Sequence, residues 1–351
     1  MSLKVKPYGL MSDTHVYDWS VFSHDNDQGV NSRLAGIISE FNRCAHETKK
    51  AGGDTCYHGG DVFHQRGLVK PEVFNPLRDC LRSHESIGIR WIGIAGNHDL
   101  SSRDSSALHS SVAMLNTVPN VDFFHKPGVI RPDNVVLFPW VEGGARYLES
   151  IRDWVKENGD VSGLDLICHI GIDGTLTGMP GHGVSHTVMK ELGFKRVFSG
   201  HYHHHRDFGN GVFSIGASTQ QSWRDVGTKA GFMIVSEDDV KFFASHQPSF
   251  VNINKMEIKE EDLFAVVDGN YVQAKIEVAS NKDVAAARRL LSDNGAKGIS
   301  IIAMPKDTAA KREKASVSSG ETLDKSVESY CKKNGFEDVI GDCNRILGEV
   351  E

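Results

Sequence analysis

Apolar and polar positions alternate in two distinct ways along the first 248 residues. Short apolar runs bounded by glycine or polar turns predict strands at Ile89 to Ala95 (I-R-W-I-G-I-A), Val135 to Trp140, Leu164 to Cys168 and Arg196 to Ser199. Between them lie stretches with the helical period. Asn31 to Lys50 carries Leu34, Ile37, Ile38 and Phe41 on one stripe, with Asn31 or Ser32 as cap and Gly52-Gly53 as stop. Ala145 to Glu157 repeats the pattern with Leu148, Ile151, Trp154 and Val155. Strands alternating with helices imply a layered α/β (α+β) core. From Gly211 to Ser245 the pattern changes to consecutive strands, G-V-F-S-I-G, G-F-M-I-V-S and D-V-K-F-F-A, the last two joined by an Asp-Asp turn.

The character of the chain shifts near Pro248. Tyr271 to Val278 alternates like a half-buried strand, Asp283 to Asp293 has a helical stripe of Val284, Ala287, Leu290 and Leu291, and Ile299 to Ala303 is a further strand. Residues 249–304 therefore read as a small β-α-β domain after a larger domain over 1–248. Residues 305–320 have no apolar period and read as a polar linker. Two short amphipathic helices follow within 321–351, over Glu321 to Lys333 and Glu337 to Glu349. Some thirty residues cannot bury a core of their own, so this pair is expected to pack on something else.

Composition excludes several classes. With 39% hydrophobic and 24% charged residues the chain is globular rather than disordered. No run approaches the ~18–20 apolar residues that span a bilayer, and the first residues lack the apolar core of a signal peptide. Six scattered cysteines without a C-x-x-C pair disfavour a disulfide scaffold or zinc finger and suggest a reducing cytoplasm. The net charge of −7 is wrong for a stand-alone DNA binder, so action on nucleic acid would need a local basic patch, metal or a partner. The histidines are the anomaly: all 17 lie between His15 and His246.

Many of these histidines belong to five segments in which an apolar run meets a turn: S-D-T-H (Asp13, His15), H-G-G-D (Asp61), A-G-N-H-D (Asn97, His98, Asp99), I-C-H (His169) and S-G-H-Y-H (His201, His203). Side chains just past the carboxyl ends of strands converge on one crevice in a layered α/β sheet. Two divalent ions ~3.5–4 Å apart, sharing one carboxylate, clamp a phosphodiester and activate water. The mixed imidazole and oxygen set suits Mn, Fe or Zn better than Mg or Ca. If the segments are extended, D-x-H and H-x-H each place two ligands on one face. Gly59, Gly60, Gly96 and Gly200 precede the ligands and allow sharp turns.

In this order the motifs D-T-H, G-D, G-N-H-D, H and G-H-x-H resemble the calcineurin-like metallophosphoesterase superfamily, over about the first 245 residues. The resemblance implies a β-sandwich flanked by helices. It implies one metal on Asp13, His15, Asp61 and His203, and another on Asp61, Asn97, His169 and His201, with Asp61 bridging. It also implies His98 as the general acid, Asp99 as the residue that orients it, and no side-chain nucleophile. Within the superfamily the chain is most similar to SbcD-type nucleases and related phage recombination endonuclease subunits. G-D-V-F-H (Gly60 to His64), the β-α-β module in the position of that family's DNA-capping domain, and the terminal helix pair carry this likeness. It implies two divalent ions, Mn²⁺ first, with Fe²⁺ or Zn²⁺ as alternatives. The expected partners are DNA, an SbcC-like coiled-coil ATPase docking on 321–351 and a second copy of the chain. No membrane is expected, and the setting is a bacterial or phage-infected host cytoplasm. The chain departs from the pattern at Pro7 and in the loop Tyr17 to Val30.

Further residues have competing readings. His64 and Arg66 are candidate phosphate contacts, set against a reading as exposed turn residues; Lys70, Arg103 and Arg224 are set against plain surface charges. His204 and His205 read as loop histidines, His58 and Cys168 as core, and Trp140 and Trp223 as core packing rather than base stacking. His24, His182 and His186 could line a groove. Two other functions remain open on these residues: a phosphatase or phosphodiesterase of small nucleotides or phosphoproteins, and a non-enzymatic scaffold that keeps the fold for protein binding.

Overall fold

The computed structural model describes residues 5–101, 110–130, 133–176, 181–255, 262–278, 280–305, 322–334 and 336–348. The strands are β1 (Tyr8–Met11), β2 (Thr55–His58), β3 (Arg90–Ile94), β4 (Val121–Phe124), β5 (Gly128–Ile130), β6 (Val135–Phe138), β7 (Asp165–His169), β8 (Arg196–Gly200), β9 (Arg206–Asp207), β10 (Val212–Ser214), β11 (Gly231–Val235) and β12 (Val240–Ala244). They form two six-stranded sheets, ordered β12-β11-β1-β2-β3-β4 and β5-β6-β7-β8-β10-β9. β1 to β4 run parallel in one sheet and β6-β7-β8-β10 in the other; β11 and β12 add antiparallel strands at one edge of the first sheet, and β5 and β9 at both edges of the second.

Side-chain alternation explains the layering. Leu10, Tyr57, Ile92 and Ile94 point from the first sheet into a core shared with Val135, Leu137, Ile167, Phe198 and Phe213 of the second. The other face of the first sheet packs Cys56 and Trp91 against α1 (Ser32–Lys50) and α2 (Pro71–Ser83). The other face of the second packs Val136, Leu166 and Cys168 against α3 (Gly144–Asn158) and α4 (His186–Lys190). The result is the helix-flanked sandwich, with strands that are apolar on both faces because both are covered. Asn31 caps α1, its side chain accepting from the backbone N–H groups of Arg33 and Leu34.

The sequence pattern misses α2, where Pro76 interrupts the helical run and Pro71 occupies the first turn. It also does not reveal that the three strands after Gly211 divide between sheets. β10 lies beside β8 in the second sheet, whereas β11 and β12 form the expected hairpin in the first.

Polar bonds tie the amino ends of the sheets. Tyr8 donates to Asp165 (2.7 Å), which also takes Arg196, and Tyr57 donates to Asp133 (2.8 Å), which also takes Arg90. Tyr8→Phe removes a buried hydrogen bond to a charged acceptor and should cost about 1.5–3 kcal/mol in denaturant unfolding. An unchanged midpoint would mean that this bond across the seam adds no net stability, since the Arg196–Asp165 pair lies within the second sheet.

A third sheet, β13-β14-β15, follows, built from β13 (Phe250–Asn252), β14 (Tyr271–Val278) and β15 (Gly298–Pro305), with α5 (Leu263–Val267) and α6 (Asn281–Asp293) between strands. The chain divides into two compact units, Met1–Lys275 with Ala286–Ile302, and Ile276–Ala285 with Ala303–Glu351. In the second unit, α7 (Leu323–Asn334) and α8 (Ile340–Gly348) pack against each other. The expected linker lies, from residue 306 on, outside the described residues, as does Arg103. No helix among the described residues is long and apolar enough to cross a membrane.

Candidate metal centre

The carboxyl ends of β1, β2, β3, β7 and β8 meet at one place, across the seam between the two sheets. Asp13 and His15 follow β1, Asp61 follows β2, and Asn97 and His98 follow β3; His169 ends β7, and His201 and His203 follow β8. Asp13, His15 and His203 offer ligand atoms within 4.8 Å of one another, as do Asp61, His169 and His201. Asn97 Oδ1 lies 2.9 Å from His201 Nδ1 and 3.2 Å from His169 Nε2. Asp61 lies between the groups, its Oδ2 3.6 Å from His15 Nε2 and its Oδ1 3.5 Å from His169 Nε2.

The backbone here is strained. Six non-glycine residues among those described have positive φ, and four of them are Asp13, His15, Asp61 and His201. Such conformations cost on the order of 1–3 kcal/mol each and cluster at functional sites. The D-x-H and H-x-H segments are therefore not extended; each bends through the left-handed region and still delivers both side chains. Gly60, at φ +99°, and Gly96 allow the closest approaches. A Cβ on Gly60 would meet the His169 ring, and one on Gly96 would run into the Asp61 carboxylate and backbone nitrogen.

The donor set fits divalent cations. Asp13 and Asp61 are buried, and no lysine or arginine among the described residues pairs with either. Burial, together with the charge of Asp61, raises the Asp13 carboxyl. Burial also opposes ionisation of Asp61, but the imidazoles of His169, His15 and His98 override it and hold that carboxyl far below its ordinary range. Burial pushes His15 well below the usual imidazole range, so its ring is neutral. His169 donates Nδ1–H to the Gly59 carbonyl (2.7 Å) and turns Nε2 toward Asp61, which against burial raises the ring to about 9; that Nε2 proton is the one a bound cation would displace. His203 Nδ1 lies 2.8 Å from Asp225 Oδ1, and its Nε2 lies 3.2 Å from His15 Nε2. With that ring proton on Nδ1, two imidazole lone pairs aim at one point, the arrangement a cation resolves.

Among the described residues, Asp99 makes no direct bond to the His98 ring. Its carboxylate accepts from the backbone N–H groups of Val62, Phe63 and Gly96, joining the loops after β2 and β3. Burial and the Asp61 charge push it up to about 7, against those three donors. The His98 ring is held instead by the His64 carbonyl, to which its Nδ1–H donates (2.8 Å). The His98 N–H donates to Asp61 Oδ1 (2.7 Å). His64 is half-buried, its ring 5.4 Å from that of His15 and tilted against Trp19 at 4.4 Å and 46°. Arg66 is exposed and joins none of these contacts. Lys70 pairs with Asp18 (2.8 Å), whereas Arg224 lines the cleft.

That cleft, of about 360 Å³, is lined by His15, His64, His98, His201, His203 and Arg224 among others. A second groove of about 570 Å³ adjoins it at His201 and Tyr202 and runs past Trp140, Leu148 and His182. Trp140 stacks on His201 (5.4 Å, 19°), a contact its position after a strand does not announce. His58 is core, bonded to Thr14, and Cys168 is buried, its thiol pushed up to about 12 by desolvation. His204 also lines the cleft, its Nδ1 accepting from the Lys229 N–H, whereas the His205 ring stacks on Phe242. His186 stacks on Phe208, and Trp223 packs edge-on against Phe250.

Sequence reasoning misses Asp225. The S-x-x-D spacing of Ser222 and Asp225 signals a capping box, which the structure contains, but not the bond to His203. Asp225→Asn should weaken one Mn²⁺ equivalent roughly 10- to 100-fold in a metal titration, with the fold intact, because an amide that keeps its oxygen on the Gln221 and Ser222 N–H groups turns its NH2 to His203 Nδ1 and reverses that ring's tautomer. Equal affinity for both equivalents would show that His203 needs no such support.

Comparison with known proteins agrees with this geometry. The calcineurin-like phosphoesterase family matches residues 6–205. Exonuclease subunit 1 of Enterobacteria phage T4 is 27% identical over 193 residues, which is 53% of this chain and 53% of that protein, so the match spans about half of the relative's length. A dimetal phosphatase from Danio rerio aligns with 69% of this chain and 100% of its own, at 10% identity and a TM-score of 0.37. With the family model matching more than half of this chain and two His/Asp groups that could hold metal ions, the chain belongs to the calcineurin-like phosphoesterases, which hydrolyse phosphoester bonds.

Proposed function

We propose that the chain is the catalytic subunit of an SbcD-type DNA nuclease, a two-metal phosphodiesterase working with an SbcC-like coiled-coil ATPase in recombination or repair. The observation that carries this reading is the convergence of Asp13, His15, Asp61, Asn97, His169, His201 and His203 on one open cleft. Asp13, His15, Asp61 and His203 would hold one cation, and Asp61, Asn97, His169 and His201 the other; the mixed donor set suits Mn²⁺, Fe²⁺ or Zn²⁺ over Mg²⁺ or Ca²⁺, and Mn²⁺ is the ion we propose. When bound, the two cations supply the charge that neutralises a phosphodiester and the acidity that makes water a nucleophile.

The chain's own residues do the rest. His98, pinned through Nδ1, exchanges its proton at Nε2 and delivers it to the leaving oxygen. Asp99 keeps the loops that carry Asp61 and His98 in register. His64, held on Trp19, and Arg224 at the rim contact substrate phosphates.

A polymeric substrate is supported by the groove that continues past Trp140, and by a relative whose name is that of an exonuclease subunit. The domains are taken as catalytic (1–248), DNA-capping (249–304), linker (305–320) and ATPase-docking (321–351). Phe336, Val339 and Ile346, exposed on the terminal helical segment, support the last, and the net charge of −7 supports reliance on a partner for DNA grip. Purified chain with Mn²⁺ should degrade linear duplex or single-stranded DNA as well as bis-p-nitrophenyl phosphate. Cleavage of the small diester alone, even with the ATPase present, would make the protein a small-substrate phosphodiesterase.

A further inference from the structure

Arg33 opens α1, outside every motif that marks the metal centre, yet its side chain is 8% exposed. Its guanidinium sits among three rings: Trp19 at 5.1 Å, Phe250 at 5.3 Å and Tyr271 at 5.5 Å. It donates to two backbone carbonyls, Val21 (3.2 Å) and Gln221 (2.7 Å). A buried cation with no carboxylate in its recorded bonds is costly unless its donors are used, and here they are used to hold main chain.

What that main chain does next is specific. Gln221 donates its side-chain N–H to the Asp13 carbonyl (2.9 Å) and its backbone N–H to Asp225 Oδ2 (2.9 Å). Ser222 donates its backbone N–H to the same oxygen (2.9 Å). The other oxygen of Asp225 faces the His203 ring. Trp19, one of the three rings, also packs tilted against His64 (4.4 Å, 46°). One cation thus fixes the segment that sets both the backbone of Asp13 and the partner of His203.

We infer that Arg33 is a positioning residue for the metal ion held by Asp13, His15 and His203, acting through the Gln221 carbonyl and Asp225, and clamped from outside by Phe250 and Tyr271 of the third sheet. The inference rests on the metal-centre assignment above. It explains why an arginine is buried at the start of a helix, where the dipole disfavours a cation.

The geometry also supplies the test. Arg33 lines a cavity of about 170 Å³ whose rim carries the exposed residues His24 and Lys297. In full-length Arg33→Ala, free guanidinium can enter from solvent and remake the planar pair of donations. Mn²⁺ binding by calorimetry, with manganese electron paramagnetic resonance, should give two equivalents for the unmodified chain. Arg33→Ala should weaken by ~10- to 100-fold the equivalent that His203→Ala abolishes, leaving the other unchanged. Millimolar guanidinium, far below the molar range that unfolds proteins, should restore it, and methylammonium should not. Arg33→Lys keeps a cation over the rings but cannot reach both carbonyls, so it should weaken the same equivalent even if Arg33→Ala does not fold. Wild-type affinity for both equivalents in the variants, or equal loss of both, would overturn the inference. An unmodified chain that fails to bind two equivalents would instead overturn the metal-centre reading.

Discussion

Asp61→Asn should lower phosphodiester hydrolysis at least about 10³-fold, because in the proposed two-ion site its carboxylate is shared by both cations and is worth several kcal/mol of charge stabilisation. The substitution isolates charge from shape. Asp61 sits at φ +55°, a conformation that asparagine tolerates well, and one amide oxygen can still accept from the His98 N–H. The variant should therefore fold as the unmodified chain does while losing affinity for both ions, a result read by metal analysis beside circular dichroism. Substantial turnover at full metal content would mean that the two ion sites do not share this residue.

His98→Ala should lower kcat by roughly 10²- to 10⁴-fold, the range for a positioned general acid, with both metal equivalents retained. The signature of the role is the leaving group. Loss should be large for DNA, whose departing sugar oxygen needs a proton, and small for bis-p-nitrophenyl phosphate, whose phenolate departs without one. If the variant loses metal, or loses both activities equally, His98 is a structural or ligand residue rather than the acid.

That these residues come together was legible in the sequence, because Asp, Asn and His recur just after apolar runs. The strand ends that bring them to one place are those the hydrophobic pattern marks. The local geometry was not legible. Alternation along an extended D-x-H suggested a shared face, whereas Asp13 and His15 reach the site through positive φ, which the tertiary structure imposes. Asp99 follows His98 directly and so looked like its partner, but its carboxylate serves backbone donors from two loops. Asp225, Gln221 and Arg33 act over separations of up to 208 residues, and nothing in their immediate neighbours encodes that. Pro76 hid a helix that burial of Val73, Leu77 and Leu81 nevertheless maintains.

The placement of polar ties between the sheets has one more consequence. At the amino ends the sandwich is joined by Tyr8–Asp165 and Tyr57–Asp133, bonds that are always present. At the carboxyl ends, ligands from both sheets meet at the candidate ion positions, so a bound cation is also a cross-link between the layers. Binding and global stability are then thermodynamically linked. At a free metal concentration 100 times Kd, each site adds about 2.7 kcal/mol to the folded state. The benefit should be distributed unevenly. Amide hydrogen exchange should slow on metal addition around Gly60, Gly96 and Gly200, while the amides of Tyr8, Asp165 and their neighbours keep their rates until the whole chain unfolds.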